Sequence, residues 1–514
     1  MDYPADTVLK LLDKGAGPAP AIGTPGTEKG SRPWLSHGSL RALARRTITD
    51  LNNIGIGRND RVAMVLPNGP EMAAAFLTVA AGATTAPLNP SYKQDEFAFY
   101  LSDLNAKALL IQRGMDSPAR AVAVENNIPV IELIPEATGP AGAFTLVPQK
   151  AMFGAPTQGG PAGAEDIALV LHTSGTTSRP KIVPLRQINI TASAYHIGRT
   201  LLLRPDDVCL NIMPLFHIHG LIAAVLSSVA AGGGVSCTPG YSSSRFFASF
   251  NDVQPSWYTA VPTMHQDILS LAPHNTDIIK AGRLRFIRSS SSSLPPQVMT
   301  AVEAAFGAPV IESYGMTEAA HQMTSNPLPP GKRFPGSVGI AAGPDVAIMS
   351  EAGDILPSGD LGEVVIRGRN VTAGYENNPS GNEAAFTNGW FRTGDQGIID
   401  TDGYLRLTGR LKELINRGGE KISPLEVDTV IMDHPAVEQC LTFAMPNDRL
   451  GEEVAAAIVL RPGLTATDTE LRDFAAQRLA AFKVPRKIIF LAEIPKGATG
   501  KLMRIGLADK LGLS

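Results

Sequence analysis

The chain is predicted to be an α/β protein, with a large N-terminal body of helix-covered, largely parallel sheets, a β-rich subdomain, and a small mobile α+β domain at its C-terminal end. Three observations predict this. Short apolar or β-branched runs alternate with segments of helical periodicity from Arg61 to about Leu294. Beyond Gly336 the texture changes to short strands and turn signals, and from about Leu411 a compact mixed segment remains. The expected domains are 1–410 and 411–514; at 514 residues the chain is too long for one ordinary core.

Taken in order, RVAMVLP reads as a strand before helical GPEMAAAFLTVAAGA, TTAPLN before QDEFAFYLSDL, and AKALLIQ before PARAVAVENN. The alternation resumes with DIALVLHTSG, DVCLNIMPLF, PSWYTAV and RLRFIRS, and ends at APVIESYG. Such βα units give parallel sheets covered by helices. GEVVIRG reads as a strand, and Asp402-Gly403 between IID and YLRL as the turn of a hairpin. In the last segment EEVAAAIVL reads as a strand and TDTELRDFAAQRLAAF as an amphipathic helix.

Composition narrows the function. A formal charge of -3 on a chain of this length makes no field that would recruit nucleic acid or an anionic membrane, so any anionic ligand must be held locally. Cys209, Cys237 and Cys440 are far apart and odd in number, which supports neither a disulfide frame nor a zinc site. The start MDYPADTVLK lacks the basic and apolar regions of a signal peptide, and the apolar stretch near Leu221 to Val235 is broken by serines and glycines. A cytoplasmic location is the expectation.

After DIALVL comes a loop rich in hydroxyls, His172-Thr173-Ser174-Gly175-Thr176-Thr177-Ser178-Arg179-Pro180-Lys181. Small residues let backbone N–H groups approach phosphate oxygens, hydroxyls add donors, and a lysine adds a mobile charge. It is not a Walker A loop, since no glycine directly precedes Lys181; alone, it reads equally as a Ser/Thr turn. Three further stretches follow: Glu312-Ser313-Tyr314-Gly315-Met316-Thr317-Glu318, then Thr393-Gly394-Asp395, then Gly409-Arg410. An aromatic face can stack on adenine, a hydroxyl can meet a phosphate, a carboxylate can hold Mg2+, and an Asp with an Arg can hold ribose hydroxyls. Each stretch alone reads as a strand end, a helix start or a turn.

Together, in this order and spacing, they resemble the signatures of the adenylate-forming superfamily of acyl-CoA synthetases, luciferases and adenylation domains. Ser178 and Ile182 depart from its usual glycines. The resemblance spans essentially the whole chain. It implies an acid–thiol ligase that uses ATP, Mg2+ and coenzyme A. By it, Thr173, Ser174, Gly175, Thr176, Thr177, Lys181, Ser291, Glu312, Ser313, Tyr314, Gly315, Thr317, Asp395, Arg410 and Lys501 bind ATP, and Glu318 with Thr173 lies at the metal. It also makes His217, Thr317, Glu318 and Lys501 catalytic, Lys412 the hinge, and Gly418, Gly419 and Glu420 the lining of the thiol tunnel in a second pose. Lys501, in the TGK ending, would span the attacking carboxylate and the α-phosphate.

The positions expected to line the acid pocket are polar: His217 and His219 in FHIHG, Arg288 with Ser289 to Ser293, and His321 just after an expected helix start at Glu318. A second carboxylate needs such donors, because burying it unpaired is costly. The phrases PLFHIHGL, WYTAVPTMHQ, RSSSSSLPP and MTEAAHQMTSNPLP resemble the oxalate-CoA ligase group, which implies that His217, Ser290, Ser291 and His321 hold the acid. Malonate-specific relatives carry Arg where this chain has Ser313. Rival readings are a ligase for another small or aryl acid such as 4-coumarate, a carrier-loading adenylation domain, and a nucleotide-binding homologue that no longer catalyses. Retention of Lys181, Glu318, Asp395, Arg410 and Lys501 together weighs against the last.

Overall fold

The computed structural model describes residues 3–26, 30–149, 154–173, 180–497 and 500–513. Among them the strands form four sheets. The first runs, in spatial order, Phe144–Pro148, Val130–Pro135, Ala108–Gln112, Arg61–Val65, Thr84–Pro87, Ile167–Thr173 and Lys181–Arg186. Its inner pairs are parallel and its two outermost pairs antiparallel. The second runs Ile340–Ala341, His321–Ser325, Val310–Met316, Phe286–Ser289, Trp257–Ala260, Val208–Asn211, Gly234–Cys237, Pro20–Gly23 and Leu35–Ser36. It is parallel from Val310–Met316 to Pro20–Gly23 and antiparallel beyond.

Between these sheets lies the helix Pro70–Ala80, in which every residue but Glu71 is buried. It touches Thr84–Pro87 of the first sheet and Pro20–Gly23 and Gly234–Cys237 of the second. The alanines of PEMAAAFLTVA permit that double approach, since a helix buried all round must be apolar on every face. The runs that alternate in the sequence become strands and helices as expected, except that Ile167–Thr173 is followed by the antiparallel strand Lys181–Arg186 before the helix Gln187–Thr200. The strand Pro20–Gly23 and the helix His37–Asn53 add an N-terminal edge that the alternation does not announce.

Beyond Gly336 a third sheet, wholly antiparallel, contains Asp345–Met349, Gly362–Arg367, Trp390–Ile399, Phe386–Thr387 and Leu405–Arg410. Asp402-Gly403 turns the chain between its last two strands, with Asp400 Oδ1 accepting from the Asp402 and Tyr404 amides at 3.0 and 2.8 Å. The fourth sheet lies entirely after Arg410 and comprises Ile415–Arg417, Glu420–Ile422, Gly451–Leu460, Val437–Asn447 and Lys487–Phe490. The helix expected over TDTELRDFAAQRLAAF is shorter, Asp468–Ala476 followed by a 3-10 turn at Ala481–Lys483. Pro485 holds Val484 extended (φ -68°, ψ 126°) and so ends the 3-10 turn.

The apolar stretch after His217 forms a π-helix, His219–Leu226, with all eight residues buried. Such wide turns are rare and concentrate at functional sites. Gly220 lies against the Pro214 carbonyl, where an added Cβ would stand 2.4 Å from the oxygen. Described helices include none long and apolar enough to cross a membrane. Gly220→Ala is therefore expected to lower folding stability by about 1–3 kcal/mol, measured as a fall in the urea midpoint with unchanged slope.

Candidate active site

The parallel strands of the second sheet deliver the chemistry at their C-terminal ends, where backbone turns leave room for a ligand. His217 and His219 follow Val208–Asn211, the serine run follows Phe286–Ser289, and Tyr314 and Gly315 lie near the end of Val310–Met316. Glu318 does not open a helix. Thr317–Ala319 is a single 3-10 turn, after which Ala320 and His321 take φ of 47° and 101° and the chain returns as the antiparallel strand His321–Ser325. Gly315 is required there, because a Cβ would fall 1.7 Å from the His321 carbonyl oxygen. In place of a solvated helix start, the turn leaves Glu318 buried.

On one side of the cavity, Lys181 pairs across the strands with Thr173 at the base of the phosphate loop, and its Nζ stands 4.3 Å from the centre of the Tyr375 ring. Ser174, Gly175, Thr176 and Thr177 lie outside the described residues. The Tyr375 hydroxyl donates to Glu318 Oε1 at 2.9 Å. Burial raises the Glu318 carboxyl above its ordinary range, opposed by that hydrogen bond and by the charges of Arg410 and Lys181. Tyr375 was not legible as a site residue, since its contact depends on the third sheet folding over the second. The Glu318 carboxylate so placed fits Mg2+, which takes few protein ligands and completes its shell with phosphate and water.

Tyr314 is buried, with its hydroxyl donating to Asp395 Oδ2; the Asp395 Oδ1 accepts from Arg410 Nε at 3.2 Å. Asp395 and Arg410 are cross-strand partners, so the ladder itself presents them together. Burial raises the Asp395 carboxyl and the Arg410 charge opposes it. Gly394, at φ 75°, donates its amide to Glu363 Oε1 at 2.8 Å and so turns Asp395 into the site.

The opposite side is basic. His219 is a satisfied core histidine, with Nδ1 2.9 Å from Ser291 Oγ and Nε2 2.6 Å from Thr259 Oγ1. The His219 amide donates to His217 Nδ1 at 3.3 Å, which leaves the proton of a neutral His217 on Nε2. Burial, with the Lys501 charge beside it, pushes His217 down to about 3. His321 and His219, their ring centres 5.0 Å apart, are likewise held neutral by burial and by the Arg288 charge. Ser290 differs from the expectation that it meets the acid. It is fully buried and its hydroxyl donates to the Ser313 carbonyl at 2.9 Å, so Ser291, at φ 76° and partly exposed, is the serine open to the cavity. The Ser313 hydroxyl in turn donates to the Ser289 carbonyl at 3.4 Å. The Glu312 carboxyl is turned away as well: Oε1 accepts from the Leu294 amide at 2.9 Å, and burial raises it to about 8.

The tail reaches into this cavity. Thr263 Oγ1 donates to the Gly500 carbonyl at 2.8 Å, which seats the turn bearing Lys501 on the large body. Burial lowers the Lys501 ammonium to about 8, with Arg410 pushing the same way and Asp395 and Glu318 opposing. Arg504 fixes the tail to the small domain by donating to Asp428 Oδ2 at 2.9 Å, Glu413 Oε2 at 3.3 Å and the Thr442 carbonyl. Lys412 lies exposed in the turn after Arg410, and Gly418, Gly419 and Glu420 form an exposed hairpin turn.

This arrangement agrees with known proteins. Residues 18–376 match the AMP-binding enzyme family, and residues 426–501 match the AMP-binding enzyme C-terminal domain. The oxalate–CoA ligase of Arabidopsis thaliana is 44% identical over 477 residues, 91% of this chain and 92% of that protein. The oxalate–CoA ligase of Saccharomyces cerevisiae is 43% identical over 480 residues, 89% of this chain and 88% of that protein. Among solved structures, ATP-bound MatB from Rhodopseudomonas palustris superposes with a TM-score of 0.86 at 29% identity, over 98% of each chain. With a family model covering most of its length and a Lys501-bearing tail seated on the large body at Thr263, this chain belongs to the AMP-binding enzyme family.

Proposed function

We propose that the protein joins oxalate to coenzyme A in two steps through an acyl-adenylate. The observation that carries the reading is the convergence of Lys501, from the tail, with Glu318, Asp395, Arg410 and His217 on one cavity. An oxygen of the acid attacks the α-phosphorus of ATP, a P–O bond forms, and the bond to the departing pyrophosphate breaks. Lys181 lies toward the outer phosphates and Lys501 toward the reacting phosphorus, where charge concentrates in the transition state. Glu318 would hold Mg2+, which would supply charge neutralisation for the phosphates. Asp395 and Arg410 hold the ribose, and the Tyr314 ring, fixed by its hydroxyl on Asp395, lies against adenine. Neutral His217 offers its Nε2–H to the acid.

In the second step the thiolate sulfur of coenzyme A attacks the acyl carbon, a C–S bond forms, and the C–O bond to AMP breaks. The small domain turns about Lys412 for this step, withdrawing Lys501 and bringing Gly418, Gly419 and Glu420 to the cavity; the exposed position of that hairpin supports such a change. Oxalate is favoured by the polar lining of His217, Ser291 and His321, where a long apolar acid would leave donors unpaired. The names of the Arabidopsis and yeast relatives support the same acid.

Pyrophosphate release across a panel of acids tests the reading: oxalate should give AMP and pyrophosphate with coenzyme A present, while 4-coumarate and octanoate give little. Faster release with either of those would overturn it. Replacing His321 by Ala should cut kcat/KM for oxalate roughly 10- to 100-fold; unchanged turnover removes His321 from the pocket. Lys501→Ala should slow adenylation by ~10²–10³-fold yet spare thioester formation from supplied acyl-adenylate. The lysine acts protonated and titrates at about 8 in the free protein, so kcat/KM for ATP should fall as pH rises above 8, and Lys501→Ala should lose that alkaline limb.

A further inference from the structure

Arg288 lies in the strand Phe286–Ser289, at 0% exposure, among the largest fully buried side chains. A guanidinium in such a place is ordinarily paired with a carboxylate, because its five donors lose their water. Here Nε and Nη1 have no hydrogen-bond partner among the described residues. Nη2 makes only long approaches, 3.5 Å to His321 Nδ1 and 3.4 Å to Gln322 Oε1. Gln322 is itself engaged elsewhere, its Nε2 donating to Thr200 Oγ1 at 3.2 Å and to the Ala342 carbonyl at 3.0 Å. No acidic group pairs with Arg288 among the described residues.

Its surroundings do not neutralise it either. Thr259 and Ile311 are its register partners in the flanking strands, and the Thr259 hydroxyl is taken by His219. His321, His219 and His217 are neutral rings, and Cys209 nearby is a thiol that burial pushes up. The two residues that carry this lining into the cavity, Ser291 and His321, both sit at positive φ without being glycine. Strain of that kind persists where surrounding structure holds a side chain in place, and it clusters at ligand sites.

We propose that Arg288 is the specificity-determining partner of the acid's second carboxylate, with His321 and Ser291 flanking it. This rests on the reading of the chain as an acid–CoA ligase. The pocket is electrically complete only with a dianion bound: one carboxylate faces ATP and the other faces the guanidinium. A monoanion of equal size leaves the buried charge unmatched and is rejected for that reason rather than for shape.

The test compares oxalate with oxamate, its monoanionic amide of nearly the same shape, in pyrophosphate release by the whole protein and by Arg288→Met and Arg288→Lys. The unsubstituted protein should favour oxalate over oxamate by roughly 100-fold or more in kcat/KM. Arg288→Met should lose roughly 100-fold or more on oxalate, chiefly through KM, keep KM for ATP within about twofold, and no longer distinguish the two acids. Arg288→Lys should fall between them. A methionine variant that binds ATP normally and keeps the full oxalate preference overturns the proposal. If that variant does not fold, the unsubstituted protein decides, since equal use of oxamate and oxalate overturns it as well. Should oxalate be inert while another small dianion is used in an Arg288-dependent way, the proposal stands and the choice of oxalate falls; preference for a monoanion over every dianion removes both.

Discussion

The site depends on one chain of hydrogen bonds, from the Tyr314 hydroxyl to Asp395 and from Asp395 to Arg410. Tyr314 belongs to the large parallel sheet, Asp395 and Arg410 to the antiparallel sheet that follows, and Arg410 is the last strand residue before the small domain begins. The second and third sheets, which share one hydrophobic core, are thereby registered to one another at one point. Buried polar groups tolerate little misplacement, since an unmatched partner costs more than a matched one gains. The Tyr375 hydroxyl on Glu318 makes a second bond, from the connection after Gly362–Arg367 to the turn after Val310–Met316.

Around that frame the cavity divides by charge. Glu318 and Asp395 form an acidic wall with Lys181, Arg410 and Lys501 set against it, and the far wall holds Arg288 with neutral imidazoles. The chain's formal charge of -3 says nothing of this separation, which arises only from where strands end. Burial drives the titrations throughout: it lifts carboxyls and depresses imidazoles and the tail lysine, so neutral forms become available at ordinary pH.

Much of the fold was legible because runs such as RVAMV and PEMAAAFLTVA carry an unambiguous period and βα order leaves few topologies. The site motifs were legible because each is local, a few residues at one strand end. What escaped depends on tertiary contact or on backbone that carries no mark. Tyr375, Thr259 and Arg504 acquire their tasks only from segments far along the chain. The turn after Thr317 read as a helix start because Ala320 and His321 adopt positive φ without the glycine or asparagine that normally announces it. Within a run of five serines, nothing in the letters tells Ser290, turned inward, from Ser291, turned to the cavity.

Arg504 stands three residues beyond Lys501 and grips three points of the small domain. The lysine is therefore cargo of that domain, not a finger on a loose string. Its reach is set by the attitude of a folded body, so the seat of that body decides whether the positive charge lies at the cavity. In the proposed two-step cycle, charge state and mechanical state become a single variable, which would let one hollow be tuned for phosphorus chemistry in the first step and released from it in the second.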